Sequence, residues 1–151
     1  MTPIAEVLRN LAGLPWLEPG ERSRAADRAH QLQAAGWTRL AASGQVGRTP
    51  VARQVVHLGE SRTLLLWRTR SRQPVAMDAL CPHKPFSMVG ARLVGDALEC
   101  PVHRRRFGPN GLCVNRPDGK PAKLLPVREE AGYLWLLPPG RAADSGAGVP
   151  A

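Results

Sequence analysis

The segments Cys81-Pro82-His83 and Cys100-Pro101-Val102-His103 are the most informative part of this 151-residue chain. Each brings one thiol and one imidazole within four residues, and sixteen residues lie between His83 and Cys100. Two thiols and two imidazoles can hold a tetrahedral zinc ion, or the two irons of a [2Fe–2S] cluster with mixed ligands. The C-x-H spacing differs from the spacings usual in zinc sites, and it therefore favours the cluster.

The sequence around these segments has the pattern of short strands. From residue 37 onward, apolar runs are cut by glycine and proline, which predicts strands separated by turns. The predicted strands are residues 37–42, 51–58, 63–68, 74–78, 93–99 (a tight hairpin turning at Gly95-Asp96), 113–114, 122–127 and 133–137. We therefore expect a small antiparallel β domain whose hairpin loops carry both donor segments at one end.

The two ends of the chain have a different composition. Residues 2–13 and 21–35 have helical spacing of apolar residues, with Gly13 and Gly36 as stops. Residues 141–151 are small and polar, which predicts a disordered tail. We expect a helical extension over 1–36, the cluster domain over 37–140 and the tail beyond it. His30 falls within the predicted second helix, and we interpret it as a surface or packing residue; His57 falls within a predicted strand, and we interpret it as structural.

The formal net charge is +9, and all of the excess lies between residues 37 and 140. Either this is an ordinary solvated basic surface, or it steers an acidic protein partner toward the cluster domain. Nucleic-acid binding is not expected, because no stacking platform or recognition-helix motif accompanies the arginines. No segment has the length of a membrane span or the pattern of an export signal, so we expect a cytoplasmic protein without membrane contact.

The donor segments and their flanks resemble the Rieske domain of ring-hydroxylating and related steroid oxygenases, and also Rieske-type ferredoxins. The blocks that carry the resemblance are GWTRLAAS, VAMDALCPHKP, LVGDALECPVH, FGPNGLCVNRP and GYLWLLPPG. The resemblance implies a mainly β, antiparallel β-sandwich fold in which two hairpin loops bind a Rieske [2Fe–2S] cluster. It implies Cys81, His83, Cys100 and His103 as the iron ligands and a structural role for Cys113.

Two comparisons with the family refine this resemblance. Rieske proteins of cytochrome complexes carry an additional cysteine in each cluster loop, and neither loop of this chain does. The family usually has glycine directly after the second histidine, whereas here Arg104, Arg105 and Arg106 follow it. In the first loop the usual glycine occurs at Gly90, one place early. The oxygenase and ferredoxin branch is therefore indicated, with an unusual local environment at the second loop.

The expected function is one-electron transfer, as a ferredoxin-like component or a detached Rieske subunit of an oxygenase system. The resemblance implies a flavin- or NAD(P)H-dependent reductase and a terminal oxygenase subunit as partners. After His103 the chain has no further histidine for a mononuclear iron site, so we expect no oxygenase active site of its own. Two alternatives stay open: a structural zinc module, and a cluster-less regulatory scaffold that docks through its basic face.

Overall fold

The computed structural model describes residues 19–138 except Pro85, Pro117 and Asp118. The predicted helix at 2–13 and the predicted tail at 141–151 lie outside the described residues. The elements are α1 Pro19–Ala34, β1 Thr38–Ala42, a 3₁₀ turn Ser43–Gln45, β2 Val51–His57, β3 Glu60–Arg68, β4 Pro74–Asp78, β5 Arg92–Val94, β6 Ala97–Glu99, β7 Arg106–Phe107, β8 Leu124–Leu125, β9 Val127–Glu130 and β10 Tyr133–Leu136. All strand pairs are antiparallel, so the predicted mainly β class with an N-terminal helical region is confirmed.

Helix α1 belongs to the first of two compact units, whose described residues are 19–45 and 126–138. The helix ends at Ala34 and is followed by Gly36, whose φ of 93° suits glycine. The Trp37 amide donates to the Leu32 carbonyl at 3.1 Å. Leu32 and Trp37 pack with Trp135 in a buried apolar cluster. The sheet of this unit has the order β1-β10-β9. No helix among residues 19–138, as far as they are described, is long and apolar enough to cross a membrane.

The second unit, Val46–Leu125, contains two sheets and the donor segments. One sheet has the order β2-β3-β4-β8 and the other β5-β6-β7. Both sheets contribute to one buried apolar core, which includes Trp67 and Met77 from the first and Leu98 and Phe107 from the second. The core positions the two cluster loops because β4 and β6 each run directly into one of them.

Tight turns set the register of this unit. Leu58 and Gly59, between β2 and β3, both have positive φ, 55° and 77°, as a two-residue hairpin turn of type I′ requires. The predicted hairpin at 93–99 is confirmed, because Leu93 pairs with Leu98 in the β5–β6 ladder. Gly95 in its turn has a φ of 63°. Register matters here, since a slip by one residue would turn the following cysteine to the opposite face.

An aspartate ties the β5–β6 turn to neighbouring loops. Asp96 Oδ1 accepts hydrogen bonds from Arg48 Nη1 at 2.7 Å and from the Arg70 amide at 2.9 Å. Arg48 also donates to the Gly95 carbonyl. Desolvation opposes ionisation of this carboxyl, but the Arg70 amide and the Arg48 guanidinium outweigh it and lower the pKa of Asp96. The charged aspartate therefore stabilises the hairpin that delivers the second cluster loop.

Three details of the strand prediction differ from the structure. Residues 113–114 do not form a strand; Cys113 alone forms an isolated bridge, with Phe107. The predicted strand 122–127 is divided at Pro126, which has no amide to donate, into β8 and β9 in different sheets. Strand β7 was not predicted, because two residues are too few to show a strand periodicity.

Candidate iron–sulfur site

The first donor loop is shaped at its start by Asp78, the last residue of β4. Asp78 is buried, and its Oδ1 accepts a hydrogen bond from the Leu80 amide at 3.0 Å, which bends the chain out of the strand. Its Oδ2 accepts from Arg62 Nη1 at 2.8 Å, so the buried charge is paired. The Cys81 amide then donates to the Phe86 carbonyl at 2.8 Å and closes the loop. Cys81 is thereby held at the inner side of a closed turn.

The second donor loop begins directly after β6. The Cys100 amide donates to the Arg105 carbonyl at 2.7 Å, and the Arg104 amide donates to the Cys100 carbonyl at 2.9 Å. Arg104 has a φ of 58°, a left-handed conformation that glycine adopts far more readily than other residues. The arginine therefore adopts the backbone conformation for which a glycine would be expected after His103.

The structure brings the four predicted donors together in a row. Cys81 and Cys100 are buried, with 3% and 0% exposure, and the two side chains interact. Cys81 Sγ lies 2.5 Å from Nδ1 of His83, and Nε2 of His83 lies 3.1 Å from Nδ1 of His103. The thiols thus face the core, while His83 is half-buried and His103 is exposed. His30 is exposed on α1, and His57 is a half-buried residue of β2.

The surroundings of this row of donors shift the pKa values of Cys81 and His83. Burial raises the pKa of Cys81; amide hydrogen bonds from His83 and Lys84 to its sulfur oppose that rise, while the neighbouring Cys100 adds to it. Desolvation, followed by the charges of Arg105, His103 and Lys84, lowers the pKa of His83 and so favours its neutral form. Thiolate sulfur and neutral imidazole are the forms that bind metal, and a metal between two thiols stabilises both as thiolates.

The donor set fits a two-iron cluster. Among the residues that the structure describes, no three histidine, cysteine or acidic side chains surround one point as the ligands of a single ion. A [2Fe–2S] centre with mixed ligands needs only two protein donors for each iron. The two buried cysteine sulfurs can serve one iron, and the two histidine nitrogens beside them, nearer the surface, can serve the other.

Three charged side chains on the β5-β6-β7 sheet lie next to the start of the second donor loop. Glu99, 6% exposed, pairs in register with Arg92 on β5 and Arg106 on β7. Its carboxylate accepts hydrogen bonds from Arg106 Nε at 3.0 Å and Arg92 Nε at 3.4 Å. The hydrogen bond from Arg106 is the main reason that the pKa of Glu99 is lowered. The three side chains link all strands of the β5-β6-β7 sheet immediately before Cys100.

Sequence reasoning missed Asn115, which also shapes the second loop. Its Nδ2 donates to the Arg104 carbonyl at 2.9 Å, and its Oδ1 accepts from the Arg106 amide at 2.9 Å. One side chain therefore holds the backbone on both sides of Arg105. Asn115 lies nine positions after Arg106, and no local sequence pattern indicates the contact. The sequence feature that could have indicated this contact is the arginine at position 104, where the family usually has glycine.

Phe86 was also missed. Its ring lies 5.6 Å from the ring of His103, and the Phe86 side chain is 44% exposed. The exposed Phe86 ring therefore adds an apolar side chain to the surface beside His103. The sequence signal was its position three residues after His83, within the loop that the cysteine pattern had already marked.

Comparison with known proteins identifies the family. The model for the Rieske [2Fe-2S] domain matches residues 36–128. The oxygenase component of chloroacetanilide N-alkylformylase from Rhizorhabdus wittichii (strain DC-6 / KACC 16600) is 32% identical over 120 residues, covering 74% of this chain and 33% of that protein. This chain thus spans about a third of the length of that curated relative.

Two solved structures support the same assignment. Dicamba monooxygenase with non-heme iron and dicamba superposes with a TM-score of 0.63 at 25% identity, over 76% of this chain and 36% of that one. The Sphingomonas yanoikuyae B1 ferredoxin has a TM-score of 0.57 at 25% identity, over 67% of this chain and 97% of that one. The chain belongs to the Rieske [2Fe-2S] domain family, whose members bind a Rieske [2Fe–2S] cluster.

Proposed function

We propose that Cys81, His83, Cys100 and His103 are the ligands of the cluster and that this domain transfers single electrons in an oxygenase system. The observation that carries the proposal is the exposure of the four donors: the two thiols are buried in the core, and the two imidazoles lie nearer the surface. When bound, such a cluster accepts and releases one electron at a potential of roughly −150 to +300 mV.

The surrounding residues support this role. Amides of His83 and Lys84 donate to the Cys81 sulfur, and hydrogen bonds to cluster sulfurs tune the potential. The exposed His103 lies at the surface, where the distance to a redox partner is short. Lys84 and Arg105 add positive charge around the histidines, which favours docking of an acidic protein.

The relatives support an oxygenase setting. The curated relative described above is named as an oxygenase component, and the ferredoxin superposes over nearly its whole length. We infer that the electrons come from a flavin- or NAD(P)H-dependent reductase and pass to a terminal oxygenase. The chain supplied alone with reductant is expected to form no oxygenated product.

The test is anaerobic reconstitution with iron and sulfide, followed by EPR of the dithionite-reduced protein. A rhombic signal of mixed histidine and cysteine ligation is expected for wild type and for Cys113→Ser, because Cys113 is outside the donor row. His103→Ala and Cys100→Ser are expected to lose it. A zinc-loaded or metal-free protein without any signal would overturn the assignment and leave the zinc or scaffold alternatives.

A further inference from the structure

A cavity of about 220 Å³ opens between the two donor loops. It is lined by Gly90, Ala91, Arg92, Glu99, Pro101 and Arg104. The first two residues come from the end of the first loop, and Pro101 and Arg104 come from the second. Pockets for small organic ligands are usually about 300–1,000 Å³, so this cavity is of a size for a single side chain.

The charge that lines the cavity is positive. Among the described residues that line it, Glu99 is the only acidic one, and its carboxylate is already bound by Arg92 and Arg106. Arg104 forms no ion pair with any carboxylate of the described residues, and it is exposed. The guanidinium of Arg104 therefore remains available to an anion that enters from outside, in a geometry that suits a carboxylate.

The backbone of Arg104 is fixed before any ligand arrives. Its φ of 58° is maintained by two hydrogen bonds, from its own amide to the Cys100 carbonyl and from Asn115 Nδ2 to its carbonyl. A left-handed arginine costs stability, and such strain persists where surrounding contacts impose it. Fixing the backbone reduces the entropy that would be lost on binding.

Exposed apolar side chains lie on the same two loops. Leu80, Phe86, Val89 and Val102 are 56%, 44%, 50% and 48% exposed. An inorganic anion makes no use of such side chains, whereas a protein interface combines an apolar area with a few charged anchors.

We propose that the cavity receives a carboxylate side chain of an acidic protein partner, anchored by Arg104 between the two cluster loops. This deepens the proposed function and rests on it only for the identity of the partner as a redox protein. The bound carboxylate would lie beside the loop that carries His103, so docking there places the partner at the exposed histidine.

The experiment measures binding of a fluorescein-labelled hexaglutamate peptide to the holoprotein by anisotropy at low salt. Arg104→Gly is compared with Arg72→Gly, a matched control. Arg72 is likewise exposed, carries the same charge and has a φ of 69°, but it lies on the β3–β4 turn. Losing the anchor is expected to weaken peptide binding about tenfold, as for one charge-assisted contact, and the control about twofold or less. Arg104→Lys, which keeps the charge, is expected to restore part of the affinity.

Equal losses in the two glycine variants would overturn the proposal, because diffuse charge would then explain the binding. Displacement of the peptide by acetate at the same carboxylate concentration would also overturn it, and would indicate a site for free small anions. EPR of the same samples separates the two proposals. If the cluster signal is missing but Arg104→Gly weakens peptide binding more than Arg72→Gly does, only the proposed function is contradicted. If the signal is normal but the two variants bind the peptide equally well, only this inference is contradicted.

Discussion

Replacing Arg104 by glycine or by alanine tests the backbone conformation of the second cluster loop. Both substitutions remove the same charge and the same long side chain. They differ only in how readily the residue adopts the φ of 58° that the structure has at this position. The comparison therefore isolates backbone strain from electrostatics, and from the contact proposed for the guanidinium.

The magnitude follows from two opposing contributions. A residue with a Cβ in the left-handed conformation costs roughly 1–2 kcal/mol, which glycine avoids. Glycine in turn loses more backbone entropy on folding, by about 0.5–1 kcal/mol relative to alanine. The central values of these two ranges predict that Arg104→Gly is more stable than Arg104→Ala by about 0.75 kcal/mol. At this chain length that is about 1.5–3 °C in Tm.

The assay is thermal unfolding followed by circular dichroism, on samples with equal cluster content. Arg72, with a φ of 69°, is expected to show the same order of glycine over alanine. Arg53 lies within β2, where glycine weakens a strand, and is expected to show the reverse order. If Arg104→Ala is as stable as Arg104→Gly or more stable, residue 104 does not have the left-handed conformation. The arginine would then not occupy a conformation that favours glycine.

Three further outcomes follow from the same structure. Asn115→Asp keeps the acceptor for the Arg106 amide but loses the donor to the Arg104 carbonyl. Its cluster is therefore expected to be released faster than in wild type and more slowly than in Asn115→Ala, as measured by the decay of cluster absorbance in the presence of a chelator. Gly111→Ala is expected to lower stability by about 2 kcal/mol or more, seen as a lower Tm. The reason is that Gly111 has a φ of 84° and an added Cβ would lie 2.7 Å from the Ala122 carbonyl oxygen. The Tm difference between wild type and Asp96→Asn is expected to be constant above about pH 5 and to disappear as pH falls below about 4, because the pKa of Asp96 is lower in the folded than in the unfolded protein. A Tm difference that stays the same down to about pH 2 would contradict this.

The comparison of sequence and structure is most informative at three places. The β5–β6 hairpin was predictable, because its turn residues and its apolar alternation are adjacent in the chain. Strand β7 was not, because Arg106 and Phe107 pair with β6 through contacts that a two-residue pattern cannot show. The break at Pro126 was visible in the sequence, yet the apolar run around it was interpreted as one strand.

The sequence by itself determined the family of the domain and indicated the donor types of its site. Two cysteines and two histidines at fixed spacing specify the donor types, and the spacing is a local property of the chain. Only the tertiary structure decided that the thiols are buried and the imidazoles outward, since burial depends on the core that two sheets share. It also decided the left-handed Arg104 and its contact with Asn115, because the sign of φ depends there on a hydrogen bond from a side chain eleven residues away.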